Sequence, residues 1–537
     1  MPARSEASVK RLTLIACILG SGIALLDGTV VNVALPTIQR ALGGGLAAQQ
    51  WVVNGYLLTL GSLILVGGSL GDLYGERRIF AIGVVGFGIT SLGCALAPSI
   101  GWLVAARALQ GVASALLTPA SLAVIVSTFP ESERGGAIGA WTAWGTIAAV
   151  VGPLLGGELL AVASWRWIFL INVPLVILCT ALILVAIPSR RTRAGPGRRV
   201  DIPGAMLCAG GLGGMVFALI EQPRLGWGSP GVLGPMVAGA ALLAGFLLYE
   251  ARARDPMLPL RLFRRRNFSA GNIETFSMYA GLSIVFFFLI LFLQQIAGYS
   301  PLKSGLTTLP VTVVMFVLSR RFGALADRYG PRLFMGAGPL VCAAGLLLFQ
   351  RVGAHISYLG DVLPPLLLFS LGLSMTVAPL TAAVLADANK DDAGIASGVN
   401  NAIARVAGLM GTAAVGAAVA ASFASKLDRA LAGVPLDAAA RSAVAAAKRL
   451  PLGRPDVHSL PSAQARLLAH SAEAASLHSF HVGMAIAAVL LAAGGLIGAA
   501  GIRNPRGAVA AEDCSRGQLV GTGRELTEVP GAHAAGA

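Results

Sequence analysis

The amino-acid sequence predicts an all-α protein that crosses a membrane many times, and its composition, its long apolar runs and the placement of its basic residues each support that fold class. Of the 537 residues, 55% are hydrophobic and only 12% are charged, whereas a soluble domain carries roughly 25% charged residues. So few charges cannot cover the surface of a water-soluble chain of this length. The composition therefore excludes a soluble enzyme and indicates that the bilayer is the solvent.

Apolar runs of membrane-spanning length occur fourteen times in the chain. An α-helix needs about 20 mostly apolar residues to cross about 30 Å of hydrocarbon. Six runs come first, two follow between Arg-rich segments, and six more complete the set. The predicted spans are residues 12–35, 48–68, 79–97, 101–125, 136–160, 168–187, 203–220, 232–249, 269–293, 306–322, 333–350, 363–385, 394–421 and 481–501.

Lysine and arginine residues are concentrated in alternate loops between these spans. If the N-terminus is cytoplasmic, the inward loops hold nineteen of them and the short outward loops hold five. Because basic residues are retained in short cytoplasmic loops, both termini are predicted to be cytoplasmic in a multi-pass protein of the cell membrane. The net charge of +15 is then an orientation signal, and no nucleic-acid partner is expected because the arginines are not gathered on one face.

The span pattern divides the chain into five predicted parts. They are a cytoplasmic N-terminus (1–11), a six-helix bundle (12–187), two linker helices with Arg-rich cytoplasmic flanks (188–267), a second six-helix bundle (268–502) with a long outer loop (422–480), and a disordered cytoplasmic tail (503–537). Helices are predicted within the outer loop at 437–450 and 462–476. A cap over the outer vestibule, a docking surface for a periplasmic adaptor and a plain solvated loop are the alternatives for this segment.

Patterns typical of enzymes and metal sites are missing from the sequence. The six cysteines form no CxxC pair, and the histidines lack metal-ligand spacing. Residues 67–71 match GxSxG but lie at the end of a membrane helix, without the strand and turn that expose a nucleophile. Neither HExxH nor a Walker lysine occurs. We expect no metal, no cofactor and no enzymatic activity, so that an ion gradient would supply the energy for any transport.

A ten-residue segment appears twice, once after the second span of each six-span block. Residues 68–77 (GSLGDLYGER) and 323–332 (GALADRYGPR) are identical at six of ten positions. Duplicated six-helix bundles that rock around a midplane site are the architecture of one large transporter class. We therefore predict a conformational loop motif that comprises Gly68, Asp72, Gly75, Arg77, Arg78, Gly323, Asp327, Arg328, Gly330 and Arg332.

The chain resembles the major facilitator superfamily, and within it the 14-helix drug:proton antiporter family. The first copy of the repeat resembles the superfamily's motif between helices two and three. Further resembling segments are residues 26–36 on the first helix, 103–111 on the fourth, 165–174 at the start of the sixth and 293–301 on the ninth. The antiporter motif of the fifth helix is matched by Gly139, Gly152, Pro153, Gly156 and Gly157. Together these matches extend from about residue 12 to residue 502.

This resemblance implies a major facilitator fold and a proton-coupled exporter that works by alternating access as a monomer. Its partners would be protons, the lipid bilayer and small lipophilic substrates, cationic ones among them, such as drugs and antibiotics. The glycine-rich stretch of the fifth helix implies export in preference to import. Uptake of a nutrient or transport of one specific metabolite are alternatives, and so is a receptor or other membrane protein without flux.

Asp27 and Arg107 are the first ionisable candidates, because a charge inside a span is costly and marks a functional site. Counted from the outer helix ends, Asp27 lies about 12 Å deep and Arg107 about 9 Å deep. Alternate exposure of the carboxylate to the two sides would change its affinity for a proton. We hypothesise that Asp27 couples or gates proton movement with Arg107 as its partner. A static ion pair that holds two helices together is the alternative.

A second group of residues is predicted to line a substrate cavity. It comprises Glu274, Phe276, Met278, Arg405 and Asn32. A carboxylate beside aromatic and methionine side chains suits lipophilic cations. For Glu274, Phe276 and Met278, the alternative is a structural role in helix packing or lipid contact. Arg405 lies midway along its span, and its partner is left open between a carboxylate and backbone carbonyl groups.

Overall fold

The protein is all-helical in the computed structural model, which describes residues 6–188, 200–353, 356–386 and 393–504. These ranges contain no β-strand. The helices are α1 (Glu6–Leu42), α2 (Leu46–Tyr74), α3 (Glu76–Ala95), α4 (Ile100–Thr128), α5 (Glu131–Val162), α6 (Trp167–Leu170), α7 (Asn172–Ala186), α8 (Ile202–Leu225), α9 (Pro230–Glu250), α10 (Arg266–Gln295), α11 (Pro301–Thr307), α12 (Leu309–Tyr329), α13 (Pro331–Leu348), α14 (Leu363–Ala386), α15 (Ala393–Ala430), α16 (Ala438–Arg449) and α17 (Ser462–Gly501).

The predicted fold class is confirmed. Among the described residues, thirteen helical segments are long and apolar enough to span a membrane, with α6 and α7 together forming one segment and α11 and α12 another. The remaining predicted span, 136–160, lies within the 32-residue helix α5. Large apolar side chains such as Ile89 and Val237 are about two-thirds exposed, as expected where a helix contacts lipid rather than water.

The two linker helices α8 and α9 pack against each other at the side of the molecule. Of these two helices, only α8 has extensive contacts with the bundles, and it packs against α2 of the first bundle and α15 of the second. Leu212, Val216 and Ile220 of α8 form one apolar cluster with Leu409 and Ala413 of α15. The linker pair therefore lies beside the seam between the bundles and leaves the space between them unobstructed.

The outer segment between the last two spans differs from its prediction in one respect. The helix α15 continues to Ala430, nine residues beyond the predicted end at 421, and α17 begins at Ser462, well before 481. The predicted spans stop at 421 and 481 because polar side chains lower the hydropathy beyond these points, but the alanine-rich sequence continues to favour a helix. With α16 the extensions enclose an apolar core that includes Phe423, Leu427 and Leu468. The predicted tail from residue 505 and the basic residues of 189–199 lie outside the described residues.

The sequence repeat has the same local structure in both bundles. Gly75 and Gly330 each separate two helices, with φ angles of +95° and +85°. Arg77 donates a 2.9 Å hydrogen bond to the carbonyl of Leu184 in the last turn of α7, and Arg332 donates one of 2.6 Å to Ala499 in the last turn of α17. Each arginine thus binds the carboxyl end of the last span of its bundle, where a cation is favoured by the helix dipole.

Replacement of Gly75 by alanine is expected to destabilise the protein by about 1–3 kcal/mol, because φ near +95° with ψ of 128° is a region that residues with a Cβ avoid. Gly71, one turn earlier in α2, has open space around its Cβ position, so Gly71→Ala is the matched control. Thermal unfolding of the purified variants checks this prediction. Equal melting temperatures for both would contradict the proposed backbone requirement.

Candidate functional site

A cavity of about 1850 Å³ lies between the two bundles. Residues of α1, α2, α4 and α5 line one side of it, and residues of α10, α12 and α15 line the other. One end reaches Gly75 and the first turn of α3 with Arg77 and Arg78, and Pro256 and Met257 also line the cavity. This volume exceeds the roughly 300–1,000 Å³ of ordinary small-molecule pockets, so the cavity can hold large organic ligands.

The opposite end of the cavity is closed by direct contact between the bundles. A Cβ atom at Gly157 of α5 would overlap the backbone of Leu302 in α11, and one at Gly305 of α11 would lie 2.7 Å from the carbonyl oxygen of Pro153. Gln294 of α10 also donates a 2.9 Å hydrogen bond to the carbonyl of Val33 in α1. Glycines allow α5 and α11 to approach with backbone against backbone, which seals this end.

The predicted antiporter motif forms much of that seal and also contacts the helix that carries Asp27. Gly152 packs against Thr29 and the carbonyl of Leu26, and Gly156 packs against Val30. The motif therefore touches α1 on one side and α11 on the other. Gly139 differs from the other motif glycines because no atom lies within 4 Å of its Cβ position.

A second contact between the bundles joins α2 to α15 near the closed end. The Gln50 amide donates a 2.6 Å hydrogen bond to the carbonyl of Thr412, and the Thr412 hydroxyl donates one of 2.9 Å to Asn54 Oδ1. All three side chains are buried. Buried polar contacts of this kind are directional, so they align the two helices in the closed arrangement.

Asp27 and Arg107 form the central ion pair of the first bundle. The Arg107 guanidinium contacts Asp27 Oδ2 directly, and both side chains are almost completely buried. Arg107 also donates hydrogen bonds to the Gln110 side chain at 2.7 Å and to the carbonyl of Val52 at 3.2 Å. The predicted pairing of α1 with α4 is therefore present in this structure.

Two amide side chains complete the binding of the Asp27 carboxylate. Gln110 of α4 and Asn172 of α7 each donate a 3.1 Å hydrogen bond to Asp27 Oδ1. Both amides also donate to the Ser91 hydroxyl of α3, at 2.9 and 3.0 Å. With Arg107, the carboxylate accepts three hydrogen bonds from these residues, which is the pattern that suits its ionised form.

Arg107 lies between the Asp27 carboxylate and the cavity. Arg107 and Tyr56 both line the cavity, whereas Asp27 does not. The guanidinium carbon is 4.4 Å from the centre of the Tyr56 ring, a cation–π distance, and the Tyr56 hydroxyl is 2.9 Å from that of Ser114. In this conformation Arg107 is therefore the member of the ion pair that lines the cavity.

The predicted substrate residues separate into two groups. Asn32 and Arg405 line the cavity. Glu274, Phe276 and Met278 do not, so their predicted placement is wrong for this conformation. Glu274 is completely buried, with its carboxylate against Gly498 of α17 and no hydrogen-bond partner for either oxygen among the described residues. Met278 is in the apolar core and Phe276 is 37% exposed, and the nearest cavity-lining residue of α10 in the sequence is Tyr279.

The two copies of the loop motif also differ in their relation to the cavity. Gly68, Asp72, Gly75, Arg77 and Arg78 of the first copy all line its mouth. The residues of the second copy, Gly323, Asp327, Arg328, Gly330 and Arg332, are not among the lining residues.

Four residues of the ion-pair network were not proposed as site residues from the sequence. They are Tyr56, Ser91, Gln110 and Asn172. Gln110 and Asn172 do belong to segments that carry the family resemblance, three residues after Arg107 and at the start of the sixth span, so the motifs contained a signal for them. Ser91 and Tyr56 lie in ordinary apolar helix sequence, and only the packing of α2 and α3 against α4 brings them to the site.

Comparison with known proteins agrees with this architecture. Residues 17–412 match the sequence model of the Major Facilitator Superfamily. The chain is 39% identical to the puromycin resistance protein of Streptomyces alboniger, over 73% of this chain and 78% of that protein. It is 35% identical to the tetracenomycin C resistance and export protein of Streptomyces glaucescens (76% of each chain). It is 36% identical to the multidrug resistance protein Stp of Mycobacterium tuberculosis CDC 1551 (78% of this chain, 77% of that one).

Solved structures show the same fold at low sequence identity. A bacterial homologue of the human lysosomal transporter Spinster, in an inward-facing and unoccupied conformation, has a TM-score of 0.64 at 15% identity and covers 93% of this chain and 99% of that one. The POT family transporter PepTSo has a TM-score of 0.58 at 14% identity, over 90% and 97% of the two chains. The fold, the repeat and the family match together establish that this multi-pass membrane protein belongs to the major facilitator superfamily.

Proposed function

We propose that the protein is a proton-driven exporter of small lipophilic antibiotics or drugs, and not an enzyme. The observation that carries the proposal is the Asp27–Arg107 network, a buried carboxylate whose arginine partner lines a cavity large enough for such substrates. The three relatives described above, which are named for antibiotic resistance, antibiotic export or multidrug resistance, support the same substrate class.

The coupling mechanism follows from the donors around Asp27. In the conformation described above, the carboxylate accepts hydrogen bonds from Arg107, Gln110 and Asn172. Opening of the opposite end would separate α5 from α11, and the contacts of α5 with α1 would transmit this movement to the helix that carries Asp27. A proton that binds there would release Arg107, and its later loss would restore the ion pair. Exchange of a proton for a substrate then requires that proton binding at Asp27 and substrate binding in the cavity favour different conformations of the protein.

The positions of the basic residues indicate which end of the cavity faces the cytoplasm. By the positive-inside rule, the open mouth with Arg77 and Arg78 faces the cytoplasm, both termini are cytoplasmic, and the seal of α5 on α11 faces outward. Substrate would enter from the cytoplasm or inner leaflet, and protons would arrive from outside. A single chain contains both bundles and the whole cavity, so the proposed functional unit is a monomer that requires a proton gradient and no cofactor.

Everted membrane vesicles test this function. Vesicles that contain the protein are expected to accumulate puromycin or tetracenomycin C when a proton gradient is imposed, and a protonophore is expected to abolish the accumulation. Expression in a pump-deficient host should raise resistance to the same compounds. Gradient-independent accumulation, or accumulation equal to that of empty vesicles, would exclude proton-driven export.

A further inference from the structure

An unpaired arginine lies in the wall of the cavity. Arg405 of α15 lines the cavity and is only partly exposed. Within the described part of the chain it makes no hydrogen bond and no ion pair, so neither of the partners that the sequence left open, a carboxylate or backbone carbonyls, is present. An unpaired charge within a membrane span is costly and is retained where it serves a ligand or a pathway.

The carboxylates of the cavity are too distant to neutralise this cation. Asp72 and Glu76 are the acidic residues among those that line the cavity, and both lie at the mouth. Arg405 packs beside Gly61 of α2, whose Cβ position is 3.2 Å from the Arg405 Cβ. Asp72 is eleven residues further along the same helix, or about 16 Å away by the rise of an α-helix. The other deep cation, Arg107, is already paired with Asp27.

The surroundings of Arg405 suit an aromatic or apolar molecule with one polar end. Tyr56 and Tyr279 line the same cavity, as does Asn401, one turn from Arg405 on α15. Trp141, Phe286 and Met315 supply apolar surface elsewhere in the same cavity. These groups supply contact area for the body of a ligand, whereas Arg405 supplies a full charge that favours an acidic group.

We infer that Arg405 is a binding group for the acidic end of the substrate, and that lipophilic organic acids bind this cavity in preference to lipophilic cations. A planar guanidinium binds a carboxylate through two parallel hydrogen bonds, and the low dielectric of the membrane interior strengthens that contact. This inference rests on the proposed function and reverses the preference for cationic substrates that the sequence suggests, because Glu274 is not on the cavity whereas Arg405 is.

Two related dyes separate this charge preference from general affinity. Rhodamine 110 carries a free carboxylate, and rhodamine 123 is its methyl ester with the same ring system. Their binding to the purified full-length protein in phosphatidylcholine nanodiscs can be measured by fluorescence anisotropy. We expect the wild type to bind rhodamine 110 about 10- to 100-fold more tightly than the ester, since a hydrogen bond to a charged partner contributes about 1.5–3 kcal/mol.

The variant Arg405→Gln is expected to lose this preference while its affinity for rhodamine 123 stays within a factor of two, and Arg405→Lys is expected to retain part of it. Arg441→Gln, a change at an exposed arginine of α16, is the control and should behave as the wild type. An equal loss of affinity for both dyes in Arg405→Gln, or a wild type that does not prefer the acid, would overturn the inference.

The headgroup of an anionic lipid is another acidic group that could bind Arg405. Phosphatidylglycerol added to the nanodiscs is expected to leave rhodamine 110 binding unchanged, and displacement of the dye by this lipid would assign the site to lipid and overturn the substrate assignment. These measurements need no gradient. Failure of proton-driven accumulation in vesicles would therefore refute the proposed export mechanism without altering the dye preference, and the two proposals can fail separately.

Discussion

Replacement of Asp27 by asparagine is expected to abolish proton-driven transport while the protein still inserts in the membrane. Asparagine has nearly the shape of aspartate but cannot exchange a proton in the physiological range. It also removes the negative charge that pairs with Arg107, and loss of one partner of a buried pair costs about 3–5 kcal/mol. We therefore expect a lower melting temperature together with complete loss of gradient-dependent accumulation.

The measurement compares gradient-driven accumulation with binding of the same substrate to the purified variant. Asp27→Asn should retain binding, because Asp27 does not line the cavity, whereas Asp27→Glu should recover part of the transport. Glu473→Gln changes an exposed carboxylate on α17 and is the control for loss of an acidic group. Normal gradient-driven accumulation by Asp27→Asn would falsify the assignment of Asp27 as the coupling residue and favour a static ion pair.

Replacement of Gly157 by valine is expected to prevent closure of the outer end and to reduce transport at least tenfold. The new side chain would overlap the Leu302 backbone only when α5 and α11 are in contact. Overpacking of this kind costs about 1–3 kcal/mol. Because the cost applies to one conformation, it shifts the population toward the outward-open state by roughly 5- to 150-fold.

Labelling of a buried position at the seal reports this shift. Val33 is completely buried in the closed arrangement, so a cysteine placed there by Val33→Cys in a cysteine-free background should react slowly with an impermeant maleimide added outside. Gly157→Val should accelerate the labelling. Gly139→Val changes a glycine of the same helix that has no neighbour within 4 Å of its Cβ position, and it should leave both labelling and transport near the wild-type level. Unchanged labelling in Gly157→Val would contradict the role of this seal.

Several features of the site could be predicted because they depend on distance along the chain. Asp27 and Arg107 were placed at similar depth by residue count alone, and the structure pairs them. The repeat at 68–77 and 323–332 predicted equivalent loops, and Gly75 and Gly330 indeed share the same unusual backbone conformation. The network partners Ser91 and Tyr56 could not be found in this way, since they belong to helices whose contact with α4 is a property of the packed bundle.

The sequence by itself determined that this protein is a multi-pass membrane protein of a known transporter family, and it located the buried charges along their helices. Only the tertiary structure decided which of those charges face the cavity, placing Arg405 in its wall and Glu274 in the packing between α10 and α17. The physical reason is that depth follows from the constant rise of an α-helix, whereas rotation about the helix axis is set by contacts with neighbouring helices. In a span that is apolar on every side, the residue types alone do not show which face of the helix points toward the cavity.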